Sequence, residues 1–129
     1  MILQNDTYVK KAEDVITKLA SQTGRNGRPL PMVTTSKIRN LLSMTNEIYN
    51  EVRLSRDEKL DEDIRGRINY LKIRFVYESG RDGQVGDFVK QAQILECIDE
   101  IRGSREHCML FCRYMEALVA YHKFLGGKD

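Results

Sequence analysis

The sequence predicts an all-α protein, a compact bundle of about five helices with its C-terminal helix at the centre. Three observations lead there. Apolar residues recur at i, i+3/i+4 and i+7 along most of the chain, and no segment shows the bounded period-two alternation of a strand. Only two prolines occur in 129 residues, so few positions are barred from a helix interior. Finally, Cys108–Leu125 (CMLFCRYMEALVAYHKFL) is apolar around most of a helical circumference, leaving Arg113, Glu116, Ala120 and Lys123 as a narrow polar seam. Such a helix lies inside a bundle or spans a membrane. Spanning takes about 20 predominantly apolar residues, and Arg113, Glu116 and Lys123 interrupt this run. The segment therefore reads as a core helix, with Leu118 buried and no membrane involved.

Composition bounds the rest. The length suits a single helical domain over 1–129, able to bury roughly two thirds of its unfolded surface. Charged residues are 31% of the chain, yet the net charge is only +2. That balance argues against a generic polycation and leaves any nucleic-acid surface to local segregation of charge. MILQND has no cationic lead into a long apolar run, so no signal peptide is expected. Three cysteines, an odd number without secretory context, favour reduced thiols in a cytoplasm.

The first helix is expected over 6–22, with Asp6 as its cap, an apolar stripe of Tyr8, Val9, Ala12, Val15, Ile16 and Leu19, and Gly24 as its stop. Residues 24–33, beginning GRNGRPLP, form a loop by composition. It is either a mobile linker with solvated charges or, through Arg25 and Arg28, a polyanion contact. The second helix, 35–53, starts at Thr35 or Ser36 and turns Ile38, Leu41, Thr45, Ile48 and Val52 inward. With about 100° between residues, Arg39, Asn46 and Arg53 share an outer stripe, and Lys37 lies near the helix start on a different side.

The third helix, 57–79, opens on Asp57, Glu58, Asp61, Glu62 and Asp63, acids that complement the positive end of the helix dipole. No regular Ca²⁺-loop pattern surrounds them. Leu60, Ile64, Ile68, Leu71 and Phe75 form the buried stripe. About a quarter-turn away run Arg67, Arg74 and Arg81, with Tyr70 and Tyr77 further round and Lys72 and Arg65 along the opposite edge. Interleaved arginine and tyrosine suit RNA, since guanidinium grips phosphate in a fork and either group stacks on bases. The alternative is a solvated face whose arginines pair with Glu78 and neighbouring acids, the tyrosines packing on the bundle.

GRDGQVG, 80–86, reads as a helix–helix turn. No strand precedes its glycines and no Lys-Ser/Thr follows, so it is not a phosphate loop. The fourth helix, 84–102, begins at Gln84 or Asp87, faces Phe88, Ala92, Leu95 and Ile98 to the core with Ile94 and Ile101 at its edge, and closes at Gly103. Ser104 caps the fifth, 104–125, which Gly126-Gly127 ends.

No catalytic constellation emerges. Cys108 and Cys112 sit one turn apart, with Cys97, His107 and His122 as further conceivable ligands, but there is no C-x2-C knuckle. Cys112 is embedded among apolar residues and reads as a buried thiol. His107 is placed at an exposed helix start and His122 at the rim of the core. No residue looks like an activated nucleophile, and Asp99 and Glu100 are adjacent, so they diverge on a helix. Neither a metal nor a cofactor is expected.

Four segments in order, TTSKIRNLL (34–42), YLKIRFVYESGR (70–81), FVKQAQIL (88–95) and FCRYMEALVAYHKFLGG (111–127), resemble the small subunit of type III-A CRISPR–Cas interference complexes, the Csm small subunit. The likeness runs from about Thr34 to the C-terminus. It implies a compact all-α bundle without nuclease activity. Several copies would stack head-to-tail along a ribonucleoprotein filament, beside the backbone and large subunits. Basic residues would line the channel that holds guide and target RNA. The matching positions are Lys37 and Arg39 in the first block, Lys72, Arg74 and Arg81 in the second, and Arg113 in the last; Arg67 joins them by helical stripe. Backbone contacts suit a ligand of variable sequence. A competing reading is a homo-oligomeric helical scaffold or adaptor without nucleic acid, in which Arg67, Arg74 and Arg81 pair with acids of a neighbour.

Overall fold

The computed structural model describes residues 1–127; 128–129, the end of the expected 1–129 unit, lie outside the described residues. Among the described residues six α-helices follow one another: α1 (Tyr8–Ala20), α2 (Thr35–Val52), α3 (Glu62–Arg81), α4 (Gly83–Ala92), α5 (Ile94–Asp99) and α6 (Arg105–Phe124). Among the described residues the only β pairing is two isolated bridges. Buried residues of all six helices join in one apolar cluster. The main neighbours of α6 are α1, α2 and α5, while α3 is held by α2, α4 and α5.

The count is six rather than five because the expected 84–102 helix is divided at Gln93. This residue takes a left-handed conformation, φ 56°. A continuous helix would leave Ile94 at the edge of the apolar stripe. The break re-aims the chain, so that Ala92, Ile94, Cys97, Ile98 and Ile101 are all buried. Burying a large aliphatic side chain is worth about 1.5–3 kcal/mol, enough to offset a strained backbone of roughly 1–3 kcal/mol. Gln93 is held from outside as well, its side-chain oxygen accepting from Lys11 Nζ at 2.7 Å.

Several boundaries differ from expectation. The third helix starts at Glu62, not 57, because 58–60 are extended along the turn before α6. Leu60 N donates to Gly103 O at 2.8 Å and Arg105 N to Glu58 O at 2.9 Å. Asp61 then caps α3, accepting from Ile64 N at 2.8 Å. The helix runs on to Arg81, past the expected 79, and the 80–86 turn shrinks to Asp82. That side chain caps α4 by accepting from Gln84 N and Val85 N, so neither Gln84 nor Asp87 starts the helix. Gly86 lets α4 approach α3, since a Cβ there would sit 3.0 Å from Ser79 O.

Asp6 makes no cap for α1; Gln4 O takes the Thr7 and Tyr8 N–H groups instead. The helix stops at Ala20, short of 22, and Gly24 enters a tight turn rather than ending it. Gly24 N donates to Arg28 O, and Leu30 N to Gln22 O, both at 2.8 Å. The 24–33 loop is thus closed by backbone pairing. Thr34, one residue before the expected Thr35 or Ser36, caps α2 by accepting from Lys37 N. Ser104 caps α6 as expected, accepting from His107 N at 3.2 Å.

His122 is fully buried, not at the rim. Its Nε2 lies 2.6 Å from Val33 O, which makes Nε2–H the donor, while Nδ1 faces Thr35 Oγ1 at 3.5 Å. The backbone of Gly127 covers the ring so closely that a Cβ there would collide with it. His107 is half-buried rather than exposed, and its Nδ1 has no hydrogen-bond partner among the described residues.

Candidate nucleic-acid interface

Residues seven apart on a helix lie about 20° from alignment, so Arg67, Arg74 and Arg81 form a line along α3. That line borders α2. Between the two helices runs a groove lined by Met44, Glu47, Ile48, Gly66, Arg67, Tyr70 and Arg74. It continues into a cleft with Lys37, Asn40, Arg74, Glu78, Arg81 and Asp82 on its walls. Four of the seven candidate basic residues, Lys37, Arg67, Arg74 and Arg81, are therefore brought together.

The other three are not. Lys72 is on the far flank of α3, where its Nζ meets Asp99 of α5 at 2.6 Å. Arg39 lies about 140° around α2 from the groove at 100° per residue, exposed to solvent. Arg113 is exposed on the outer seam of α6.

Acids answer every base in the groove. Arg67 pairs with Glu51 and lies 3.9 Å from Glu47. Arg74 reaches Glu78 at 3.0 Å, and Arg81 approaches the same carboxylate at 4.0 Å. Lys37 pairs with Asp82. The hydrogen bond from Lys37, supported by the N–H groups of Val85 and Gln84, holds the Asp82 carboxyl below its ordinary value of 3.8. Arg74 also stands over the Tyr77 ring, 5.3 Å from its centroid, a cation–π geometry. Arg81 is the least engaged of the four, with 68% of its side chain exposed.

The tyrosines do not pack on the bundle. Tyr70 and Tyr77 are more than half exposed, and so are Ile73 and Val76. Together they make a second apolar stripe on α3, opposite the buried Ile64, Ile68, Leu71 and Phe75. The signal was present in the sequence as apolar residues left over once the core stripe is assigned. Helical periodicity assigned Ile73 and Val76 no role.

The thiols are all buried. Desolvation pushes Cys97 up to about 12. Cys112 is raised by its hydrogen bond with Cys108 and by burial, and its Sγ points at Thr45 O, 3.9 Å away. The same hydrogen bond lowers Cys108; Cys97 and Cys112, held protonated, are poor nucleophiles and poor metal ligands. Purified protein is therefore expected to carry no stoichiometric zinc, and a chelator to leave its melting temperature unchanged. Elemental analysis returning one zinc per chain would overturn the assignment of Cys108 and Cys112 as core residues. Among the described residues, no helix is long and apolar enough to cross a membrane.

Comparison with known proteins gives one consistent result. The family pattern described as "Csm2 Type III-A" matches residues 10–128. A protein of Streptococcus thermophilus named "CRISPR system Cms protein Csm2" is 46% identical over 128 residues, 99% of this chain and 98% of the relative. A protein of the same name from Mycobacterium tuberculosis is 43% identical over 129 residues, 100% of this chain and 99% of the relative. Another from Enterococcus italicus is 42% identical over 99 residues, 75% of this chain and 71% of the relative. With the family pattern covering nearly the whole chain and relatives alike from end to end, this protein belongs to the Csm2 family of type III-A CRISPR systems.

Proposed function

We propose that the chain is a non-catalytic small subunit of a type III-A RNA-guided effector in cytoplasmic antiviral defence. One helical domain over 1–129 stacks in several copies, beside the backbone and large subunits, and holds the backbone of the guide–target RNA. The observation that carries this reading is the line of Arg67, Arg74 and Arg81 beside exposed Tyr70 and Tyr77, on a member of this family. Guanidinium forks grip phosphate whatever the base, as a ligand of variable sequence requires. Base pairing by the guide supplies specificity in such systems. The groove's internal ion pairs do not forbid this, because exposed pairs are worth only about 0–1 kcal/mol. Phosphate competes with Glu78 for the part-buried Arg74. Affinity then accumulates over copies. Lys37 belongs to the same cleft, while Lys72, Arg39 and Arg113 fit contacts with RNA or neighbouring subunits on other faces.

A second reading, a homo-oligomeric scaffold without nucleic acid, is favoured by two facts. The groove arginines already have carboxylate partners, and the exposed stripe Tyr70, Ile73, Val76 and Tyr77 is apolar enough to meet another protein. Affinity purification of the tagged chain from its native cell separates the two. The effector reading expects further subunits and a short RNA with a repeat-derived 5′ handle. Recovery of the chain with only copies of itself and no RNA would sink it.

A further inference from the structure

A second concavity carries a more positive balance than the α2–α3 groove. Its walls come from two distant segments, the connection between α2 and α3 and the turn between α5 and α6. Arg56, Lys59, Arg65, Arg102 and Arg105 line it against Asp57, Glu58 and Glu106. The backbone bonds Leu60 N to Gly103 O and Arg105 N to Glu58 O clamp the two segments together. Arg105 ties the assembly to the end of α2, donating to Val52 O at 3.1 Å and Arg53 O at 3.2 Å.

These cations differ from those of the groove. Among the described residues none of the five makes an ion pair, whereas Lys37, Arg67, Arg74 and Arg81 all do. Arg65 and Arg105 bond only to carbonyl oxygens, so neither is held in an ion pair by Asp57, Glu58 or Glu106 of the same pocket. Arg102 adopts φ 46°, left-handed backbone that costs free energy for any side chain but glycine or asparagine. Strain of this kind gathers where a conformation is used. The positive end of the 20-residue α6 opens on the same pocket.

We infer that this pocket holds phosphate groups of an RNA backbone, at a site separate from the α2–α3 groove. Its lining decides between RNA and an acidic protein segment. Apart from buried Leu60, every wall residue is charged or small, so a peptide would find no apolar surface to cover, and protein interfaces take their affinity from such surface. A polyanion needs only charge and guanidinium forks. The inference rests on the proposed function only for the ligand being RNA; its residues are its own.

The test is equilibrium binding of the purified chain to labelled RNA of arbitrary sequence, single-stranded and duplex, between about 50 and 200 mM salt. The pocket variant is Arg56→Gln with Arg102→Gly, and the groove variant is Arg81→Ala. Glycine relaxes the backbone at 102, so the pocket variant should melt no lower than the parent. Its log K against log salt should flatten by about 0.7–0.9 for each phosphate that is no longer neutralised, equally across RNA sequences. An unchanged affinity and slope, with Arg81→Ala weakened, would overturn the pocket site and leave the groove standing. The reverse pattern would keep the pocket and remove the groove. A parent chain that binds neither RNA form at the lowest salt would overturn both. Unchanged RNA binding together with loss of a protein subunit from the tagged complex would make the pocket a protein contact instead.

Discussion

Leu118→Ala is expected to lower the unfolding free energy by about 2–5 kcal/mol, the range of other large-to-small core changes. Leu118 is fully buried on α6, among Cys108, Phe111, Met115 and His122 of the same helix. The spread of such values reflects how far a site can collapse around the missing atoms. Collapse is hindered here because the large buried side chains on either side are tied down. Tyr114 Oη donates to Ala92 O at 2.9 Å, and His122 Nε2 donates to Val33 O. A value in the upper half of the range is therefore expected. Urea melts measure it, through a lower midpoint at an unchanged slope. A loss under about 1 kcal/mol in a well-folded variant would mean that this stretch of α6 is peripheral.

The second large effect is expected in the assembled complex, where a substitution is repeated in every copy and its cost multiplies. Arg74→Ala and Arg81→Ala should each weaken RNA binding almost equally across sequences and flatten the salt dependence by about 0.7–0.9 per phosphate released. The ion pairs of the cleft allow a sharper test. Glu78 holds both arginines, so it competes with phosphate for them. Glu78→Gln should therefore strengthen RNA binding where the alanine variants weaken it. The scaffold reading expects a different pattern: Arg74→Ala and Arg81→Ala disrupt assembly, while complexes that do form keep the parent's affinity and salt slope. A Glu78→Gln complex with lower RNA affinity and normal assembly would also count against phosphate binding by this pair.

Much of the fold was legible before any coordinates. The core stripes of α2 and α3 were largely read correctly, because Ile38, Leu41, Thr45, Ile48 and Val52, and likewise Ile64, Ile68, Leu71 and Phe75, follow the helical repeat and are buried, while buried Thr35 reads in the sequence only as a helix start and Leu60 lies before α3. The buried thiols and the Ser104 cap were equally local signals. The site was legible in part. The arginine line could be drawn from heptad spacing, but the division of seven basic candidates among four places could not. Arg56 and Arg102 went unnoticed, since nothing in a linear pattern joins the α2–α3 connection to the turn before α6.

Residue order was enough to establish most of the apolar face of each long helix, the Ser104 cap of α6, and the family to which the chain belongs; the other helix starts were fixed by neighbouring segments. Those first three properties depend on residues within a turn or two of one another, and the family signal is the sum of many such short blocks. The break at Gln93, the burial of His122 and the long-range partners of the charged side chains came only from the folded chain, whereas the pairing of the α3 arginines with Glu78 was an alternative that the sequence offered. Lys37 and Asp82 are 45 positions apart, Lys72 and Asp99 27 apart, and His122 and Val33 89 apart. Charge pairing and backbone strain are settled by what packing brings within a few ångströms, and helical periodicity carries no information at that range.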